Sequence, residues 1–228
     1  MLADADLAAV GRALGDTHRA RFVLMLLGGQ ELPAGDLSSR AGTSSSLASA
    51  HLAKLLESGL VTASRRGRQR YYRLASPDIA QAIEALLVIS PHTSATGLSN
   101  VHRGKALQRA RTCYDHVAGQ LGVALADAFE QDHIIAAGDV GWTLTSRGEH
   151  RLGELGLDSG ALHRGRRPLL LSCKDWTERR PHMAGLLGQV LASKLLDLNW
   201  VRRRPDSRAL QITPLGEQRL LAEFAVRI

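Results

Sequence analysis

The sequence has few cysteines, no long apolar run and none of the common catalytic motifs. Its 228 residues include two cysteines, Cys113 and Cys173, whose wide separation fits neither a disulfide framework nor a zinc knuckle. No apolar stretch approaches the roughly 20 residues that a transmembrane helix needs, and the first thirty residues do not resemble a signal peptide. We therefore expect a cytoplasmic protein with reduced thiols.

Motifs for phosphate, dinucleotide, metalloprotease and serine-hydrolase chemistry are also missing. The chain contains no GxxxxGK[ST], GxGxxG, HExxH, GxSxG or CxxC sequence, so none of the usual catalytic frameworks is present. Cys113 and His116 could be drawn as a nucleophile and its base, but no third group accompanies them. We therefore predict that the protein is not an enzyme.

Basic charge is what the chain has in excess. Twenty-nine Lys and Arg residues against 22 acidic ones give a formal net charge of +7, which is typical of proteins with a polyanionic partner. Five arginines fall within nine residues with no acidic side chain among them, whereas the rest of residues 1–90 carries five basic and eight acidic side chains. These arginines are Arg65, Arg66, Arg68, Arg70 and Arg73. The positive charge of this part is thus concentrated in one short segment.

The pattern of the first ninety residues predicts a winged helix-turn-helix. Apolar residues at helical spacing indicate two opening helices, a short third helix and a fourth that begins at Thr43, its expected N-cap, and ends at Gly59. From Leu60 two β-prone stretches flank the arginines, which predicts a hairpin with Gly67 at its tip. A fifth helix opens at Pro77.

The fourth helix and the hairpin carry the strongest functional signal. Short polar side chains allow a helix N-terminus to approach the major groove, and guanidinium groups on a hairpin tip suit phosphates or a minor groove. The predicted DNA-binding residues are Ser44, Ser45, Ser46, Ser49, His51, Lys54, Arg65, Arg66, Arg68 and Arg70. Two alternatives stay open: the arginines could form a solvated loop, and His51 could brace the domain instead of touching DNA.

A family resemblance rests on the same segment. The pattern Ser46-x-x-Ser49-x-His51-Leu52-x-x-Leu55-x-x-x-Gly59-Leu60-Val61, followed by Gly67-Arg68 and Tyr71-Tyr72-Arg73-Leu74, resembles the ArsR/SmtB family of bacterial winged-helix repressors. The similarity covers about residues 5–90. It implies a homodimer in which the helices near 5–14 and 77–90 pack across a two-fold axis, and repression of a promoter that an inducer relieves.

The inducer sites of that family are not matched here. The stretch 31–37, which corresponds to the family's cysteine-containing third helix, has no cysteine. In the fifth helix Asp78 is followed by Ala80 and no histidine is present. Ala50 stands where the family has an arginine, so one base or phosphate contact is expected to be missing. The resemblance therefore leaves the effector undefined.

The composition after the fifth helix predicts a linker and a second domain. Residues 91–104 are rich in Ser, Thr and Gly and lack apolar periodicity, which is typical of a linker. It would join a DNA-binding and dimerisation domain over 1–90 to an effector-sensing domain over 105–228.

The second half contains an internal repeat. The sequence HxAGxLGxxLA begins at His116 and again at His182, and the repeats extend over about 110–158 and 170–226. We expect each to be a helix, a hairpin-like stretch and a second helix, and the two to pack as one pseudo-symmetric domain. The predicted fold class is thus mainly α with small β-hairpins (α+β), a winged helix-turn-helix followed by two winged-helix-like repeats.

Both repeats also contain the sequence [Ser/Thr]-Cys-x-Asp, which suggests an effector site. Thiolates beside histidines bind metal or metalloid ions or react with oxidants, and aromatic side chains nearby could line a pocket for an organic ligand. The candidate effector residues are Cys113, Tyr114, His116, Cys173 and Trp176, and the weak metal candidates among them are Cys113, His116 and Cys173. As soft-ligand sites or reactive thiols, Cys113 would act with Asp115 and His116, and Cys173 with Asp175 and His182.

A structural interpretation of the same residues is the alternative. Cys113 falls on an apolar stripe at helical spacing and could be a small buried residue of a helix. Asp175 and Glu178 have the spacing of a helix capping box. The aromatic side chains could simply fill the core.

These observations predict a bacterial DNA-binding transcriptional regulator, a homodimeric repressor released from its operator by an effector bound in the second domain. The expected partners are double-stranded DNA with an inverted-repeat operator and a second copy of the chain, and no membrane. The alternatives are a protein-interaction scaffold and a thiol-based metalloid or redox sensor variant of the repressor. Two further basic clusters, 164–167 and 202–204, could contact phosphates or form a solvated face.

Overall fold

The computed structural model describes residues 5–91, 98–138, 141–156, 167–205 and 207–228. The chain divides into two compact units, Met1–Ala82 and Ile83–Ile228. The described residues form ten helices and eleven short strands, and every strand pairing is antiparallel. This confirms the predicted mixture of helices and small hairpins.

The first unit is a winged helix-turn-helix. Its elements are α1 (Leu7–Leu14), α2 (Thr17–Leu26), β1 (Leu32–Pro33), α3 (Ala34–Ala41), α4 (Ser45–Glu57), β2 (Val61–Arg66), β3 (Gln69–Leu74) and the start of α5 (Pro77–Ile89). The chain turns from α3 to α4 at Gly42, whose φ of 67° lies in the left-handed region that glycine adopts without strain. Strands β2 and β3 form the predicted hairpin, and β1 pairs with β3 to give the order β1-β3-β2.

Helix α4 begins one residue later than predicted. The backbone of Ser44 is extended and its Oγ accepts a hydrogen bond of 3.3 Å from the N–H of Leu47, so Ser44 is the N-cap. Thr43, for which that role was predicted, precedes the cap, and its hydroxyl is buried. The apolar face of α4 packs into the core through Leu52 and Leu55, which are fully buried.

The second unit repeats one order of elements. It contains the rest of α5, then α6 (Leu98–Arg109), β4 (Arg111–Cys113), β5 (His116–Ala118), α7 (Gly119–Gln131), β6 (Ile135–Gly138), β7 (Gly141–Leu144), α8 (Ser146–Glu154), β8 (Leu171–Lys174), β9 (Pro181–Ala184), α9 (Gly185–Asp197), β10 (Val201–Arg203), β11 (Leu210–Ile212) and α10 (Pro214–Phe224). The order hairpin, helix, hairpin, helix runs from β4 to α8 and again from β8 to α10. Side chains of both runs share one apolar core, which includes Leu121, Phe129, Leu187 and Leu195.

The structure contradicts one expectation for this unit and shows a helix within the segment predicted as a linker. Each run begins with a hairpin and not with a helix, because Cys113 pairs with His116 across β4 and β5; Cys113 is therefore a strand residue and not part of a helical stripe. Helix α6 occupies 98–104 of the segment for which a linker was predicted, and 92–97 lie outside the described residues. The helix makes tertiary contacts that local composition does not reveal, such as the hydrogen bond of 2.7 Å that Arg109 Nη2 donates to Glu217 Oε1 of α10.

Glycines of the repeated HxAGxLG sequence are required where each hairpin turns into its helix. Gly119 and Gly185 have φ values of 77° and 78°, which side chains rarely tolerate. A Cβ at Gly122 would lie 2.4 Å from the carbonyl oxygen of Val117. A Cβ at Gly188 would lie 2.6 Å from a carbonyl oxygen, which is also too close. The repeated sequence thus encodes a tight junction between β5 and α7 and between β9 and α9.

None of the helices that the structure describes is long and apolar enough to cross a membrane.

Candidate functional site

The start of α4 presents a row of short polar side chains. Ser44, Ser45, Ser46 and Ser49 are all exposed, and Lys54 is exposed further along the helix. The Oγ atoms of Ser44 and Ser46 lie 3.1 Å apart, and Ser49 donates to the Ser45 carbonyl at 2.8 Å. A helix N-terminus with small side chains leaves room for a phosphate or a base edge at its positive end. Four of the predicted serine contacts are therefore on one surface.

The hairpin of β2 and β3 places its arginines beside that helix. Arg65, Arg66, Arg68 and Arg70 are exposed, and Arg68 and Arg70 line a groove together with Ser49 of α4. The helix and the hairpin thus meet at one concave surface. One serine hydroxyl and two guanidinium groups line this groove, and Asp36 of α3 lines it as well. Hydroxyl and guanidinium groups are those that bind DNA phosphates and base edges.

Glu31 is a neighbour of the hairpin arginines that sequence reasoning missed. Its carboxylate pairs with Arg66, and its Oε1 lies 3.6 Å from Arg73 Nε. Pairing of Leu32 with Tyr72 between β1 and β3 carries Glu31 to the hairpin. Because 35 residues separate Glu31 from Arg66, no local sequence pattern predicts the contact. Among the described residues, the neighbouring Arg68 and Arg70 form no such ion pair, although Asp36 lines the same groove.

His51 lies inside the unit and not on the predicted DNA surface. It is 8% exposed, and its Nδ1 lies 3.4 Å from Asp16 Oδ1 and 3.5 Å from Arg19 Nη1. Asp16 caps α2 by accepting hydrogen bonds from the N–H groups of His18 and Arg19. The hydrogen bond from Arg19 is the main reason that the pKa of Asp16 is below its usual value. This geometry favours the bracing role that the sequence left open for His51.

Two cysteines and two histidines meet in the second unit. The side-chain ligand atoms of Cys113, His116, Cys173 and His182 all lie within 4.8 Å of one another, and all four residues are buried. The two Sγ atoms are 3.8 Å apart and the two Nε2 atoms 3.1 Å apart. The structure thus joins the two pairs that the sequence suggested separately, Cys113 with His116 and Cys173 with His182. We refer to these four residues as the Cys/His cluster.

The thiols of the cluster differ in their affinity for a proton. The pKa of Cys173 is lowered, first because Cys113 donates a hydrogen bond to its sulfur and then because His116 and His182 do so. The pKa of Cys113 is raised by the same sulfur contact and by burial. Burial lowers the pKa of His116, but hydrogen bonds to Asp115 and Cys173 outweigh that effect and raise it. Cys113 therefore holds its proton more tightly than Cys173 does.

Carboxylates face the outer nitrogens of both imidazoles. Asp115 Oδ1 lies 3.2 Å from His116 Nδ1, and Asp175 Oδ2 lies 3.8 Å from His182 Nδ1. Asp115 is itself paired with Arg167. Of the basic cluster 164–167, Arg167 is the residue that the structure describes, and it serves this internal contact.

Asp175 makes only half of the hydrogen bonds of the predicted capping box, because its own N–H donates to the carbonyl of Arg180 and not to Glu178. Asp175 Oδ1 accepts from the N–H groups of Thr177 and Glu178 at 2.8 and 3.0 Å. No helix follows, because residues 176–178 form a turn and the chain continues into β9. The carboxylate is held by buried partners from the other repeat, Arg111 and the N–H of Gly119.

The two aromatic candidates occupy the connections of the two hairpins. Tyr114 lies between β4 and β5 with a φ of 59°, and Trp176 lies between β8 and β9; both are half-buried. The guanidinium of Arg111 lies over the Trp176 ring, 4.7 Å from its centroid. A pocket between Tyr114 and Trp176 for an organic ligand stays a prediction.

Comparison with known proteins agrees with the first unit's winged helix-turn-helix architecture. Residues 14–62 match the family described as a helix-turn-helix domain. The uncharacterized HTH-type transcriptional regulator YdfF of Bacillus subtilis (strain 168) is 38% identical over 212 residues, which cover 93% of this chain and 94% of YdfF. The arsenic resistance transcriptional regulator ArsR1 of Pseudomonas putida is 36% identical over 78 residues, 34% of this chain and 60% of ArsR1. The solved structure of HlyU from Vibrio cholerae N16961 is 35% identical in sequence. The match covers 35% of this chain and 85% of the HlyU chain, with a TM-score of 0.33.

The fold and the serine- and arginine-lined groove define a DNA-binding winged helix-turn-helix protein. Because YdfF is similar over nearly its whole length, the chain belongs to the family of HTH-type transcriptional regulators. The resemblance to the ArsR/SmtB family is supported for the helix-turn-helix part by relatives such as ArsR1.

Proposed function

We propose that the protein is a homodimeric repressor that binds an inverted-repeat operator through α4 and the β2–β3 hairpin. The observation that carries the proposal is the groove lined by Ser49, Arg68 and Arg70, since it combines groups for base edges with groups for phosphates. The N-terminus of α4 would enter the major groove, and the hairpin would follow the adjacent backbone or minor groove.

Exposed apolar side chains on two helices support the homodimer. Leu7 and Val10 of α1 are 80% and 37% exposed, and Leu86 and Ile89 of α5 are 43% and 79% exposed. Large apolar side chains that water surrounds are favoured to pack against a partner. Helices α1 and α5 are also those that the ArsR/SmtB resemblance assigns to the two-fold interface. A two-fold dimer would place two copies of α4 in successive major grooves, about 34 Å apart.

The second unit would be a duplicated effector domain. The repeated HxAGxLGxxLA sequence and the repeated order of hairpins and helices support an internal duplication. Each repeat supplies one cysteine and one histidine to the Cys/His cluster, so a ligand at the cluster would touch both repeats. Such a ligand could shift the population of operator-competent dimers.

Selection of sites from a random pool of duplex DNA tests the DNA-binding proposal. The full chain is incubated with the pool and with competitor DNA at moderate salt, and the enriched sequence is then footprinted. We expect an enriched sequence with two inverted half-sites and two chains bound per duplex. No enrichment would contradict DNA binding and favour the scaffold alternative, and one chain on a single half-site would contradict the homodimer.

A further inference from the structure

We propose that Cys113, His116, Cys173 and His182 form a tetrahedral site for one divalent ion of the zinc type. The proposal concerns this site alone. Ion binding by the second unit tests it, whether or not the first unit binds an operator. It assigns zinc, with cobalt and cadmium as chemical substitutes, because two thiolates and two imidazoles are ligands that such ions prefer over magnesium or calcium.

The distances within the cluster match a tetrahedron around zinc. Bonds of about 2.3 Å to sulfur and about 2.0 Å to nitrogen place two sulfurs about 3.8 Å apart and two nitrogens about 3.3 Å apart. The observed separations are 3.8 Å between Cys113 Sγ and Cys173 Sγ and 3.1 Å between His116 Nε2 and His182 Nε2. These two separations thus fit the tetrahedron, and all four ligand atoms lie within 4.8 Å of one another.

Strand pairing arranges the ligands in two pairs. Cys113 lies opposite His116 across β4 and β5, and Cys173 lies opposite His182 across β8 and β9. Each hairpin therefore offers one sulfur and one nitrogen from directly opposed positions. An ion bound by all four side chains would join the two hairpins, and with them the two repeats.

The outer contact of His116 fits a metal site as well. Nδ1 of His116 lies 3.2 Å from Asp115 Oδ1. A carboxylate at this position holds the proton on Nδ1, so the lone pair of Nε2 is directed at the metal, an arrangement common to metal-bound histidines. Nδ1 of His182 makes no hydrogen bond among the described residues, because Asp175 Oδ2 is 3.8 Å away. Both Nε2 atoms point to the centre of the cluster here.

Two glycines allow the histidines to reach that centre. A Cβ on Gly188 of the second repeat would lie 3.1 Å from the Cβ of His116 in the first, and a Cβ on Gly122 of the first would lie 3.6 Å from the Cβ of His182 in the second. Each histidine thus packs against the helix of the other repeat. This reciprocal packing explains why the repeated sequence combines a histidine with a glycine six residues later.

Burial indicates a closed site. The exposed fractions are 2% for Cys113, 6% for His116, 8% for Cys173 and 1% for His182. With four protein ligands and no solvent-facing position, the site resembles those in which zinc stabilises a fold, and not those in which it activates a water.

Cobalt titration of the full chain tests the site directly. The protein is reduced, stripped with a chelator and titrated with Co²⁺ without oxygen, and the absorption spectrum is recorded. We expect one Co²⁺ per chain, visible bands of tetrahedral cobalt and near-ultraviolet thiolate-to-cobalt charge transfer, all displaced by Zn²⁺. No DNA is present, so failure here leaves the DNA-binding proposal untouched.

Variants separate ligand residues from residues that only maintain the fold. Cys173→Ser should lose about half of the charge-transfer absorbance or all binding, whereas His182→Cys should keep one cobalt per chain and gain charge transfer. His150→Gln is the matched control, since His150 is an exposed histidine on α8 of the same unit, with a side chain 80% exposed. The proposal is overturned if the reduced chain gives no charge transfer, or if the double variant Cys113→Ser, Cys173→Ser binds cobalt with an unchanged spectrum. It is also overturned if the only product is a Cys113–Cys173 disulfide and the re-reduced chain takes up no metal.

Discussion

Arg111 and Asp175 form an ion pair in the interior of the second unit, with 2.9 Å between Nη2 and Oδ2 and neither side chain exposed. The pair joins the first repeat to the second. Asp175 also accepts the N–H of Gly119 at 2.6 Å, and Arg111 donates to Thr177 Oγ1 at 3.1 Å. Because the charges are fully desolvated, loss of either partner would leave the other buried and unpaired.

Asp175→Asn should therefore destabilise the second unit by about 3 kcal/mol. The matched control is Asp127→Asn, which removes the Arg180–Asp127 contact of 2.6 Å, where the arginine side chain is 57% exposed; that change should cost at most about 1 kcal/mol. Urea unfolding of both variants with a chelator present measures the difference. Equal losses of unfolding free energy in the two variants would show that the buried ion pair stabilises the unit no more than the exposed one.

The same residue predicts a dependence of stability on pH. Burial alone would raise the pKa of Asp175, but Arg111 and the hydrogen bonds from Thr177, Glu178 and Gly119 hold it well below its usual value. Since the folded pKa is lower than the unfolded value of about 3.9, the carboxylate stabilises the fold above that pH and loses this effect as the pH falls below it. The stability difference between the parent and Asp175→Asn should thus shrink below about pH 4. A difference that stays constant into the acid range would contradict this assignment.

Gly122→Ala should destabilise the second unit, because its Cβ would lie 2.4 Å from the Val117 carbonyl oxygen. Forcing these atoms apart is expected to cost about 1–3 kcal/mol. Gly153→Ala is the matched control: Gly153 lies in α8 with nothing within 4 Å of a Cβ, so the alanine should stabilise that helix by up to about 1 kcal/mol. Thermal unfolding should show shifts of opposite sign for these two variants, and a stabilised Gly122→Ala would rule out the tight junction.

Glu31→Gln should increase affinity for DNA of any sequence. The change releases Arg66 and Arg73 from their carboxylate, and each arginine that then neutralises a phosphate steepens the slope of log K against log salt by about 0.9. Glu57→Gln removes one negative charge from an exposed position of α4 and should have a smaller effect. Fluorescence anisotropy over a range of salt concentrations measures both, and equal slopes would mean that Glu31 does not restrain the arginines.

Leu7→Asp and Ile89→Asp should each shift the protein from dimer to monomer, because each places a charge in the proposed apolar interface. Leu215→Asp on α10 is the matched control, since Leu215 is also exposed, at 42%, but lies on neither helix of that interface. Sedimentation equilibrium reports the mass of each variant. A parent chain that is already monomeric, or a loss of dimer in the control as well, would remove α1 and α5 as the interface.

The fold of the first unit could largely be predicted, because its signals are local. Gly42 and Gly59 mark helix ends, and Gly67 marks a hairpin tip, each with a positive φ. The second unit was harder, since its hairpins are only three or four residues per strand. Cys113 also fits a helical stripe, and only its pairing with His116 makes it a strand residue.

The sites divide along the same line. The predicted serines and arginines come from one stretch of 27 residues, from Ser44 to Arg70, so composition and spacing were enough to identify them as candidates. The contact of Glu31 with Arg66 and the meeting of His182 with His116 depend on separations of 35 and 66 residues. Such contacts follow from strand pairing and repeat packing, which no local pattern records.

The salt dependence of DNA binding by the double variant Arg68→Ala, Arg70→Ala tests the central claim most directly. These arginines line the groove with Ser49 and should contact phosphates, so affinity should fall alike for all sequences and the slope of log K against log salt should decrease by about 1.8. Arg219→Ala, at an exposed position of α10, should leave the slope unchanged. If both the double variant and Arg219→Ala keep the parent's slope, the hairpin does not bind DNA and the proposed interface is wrong.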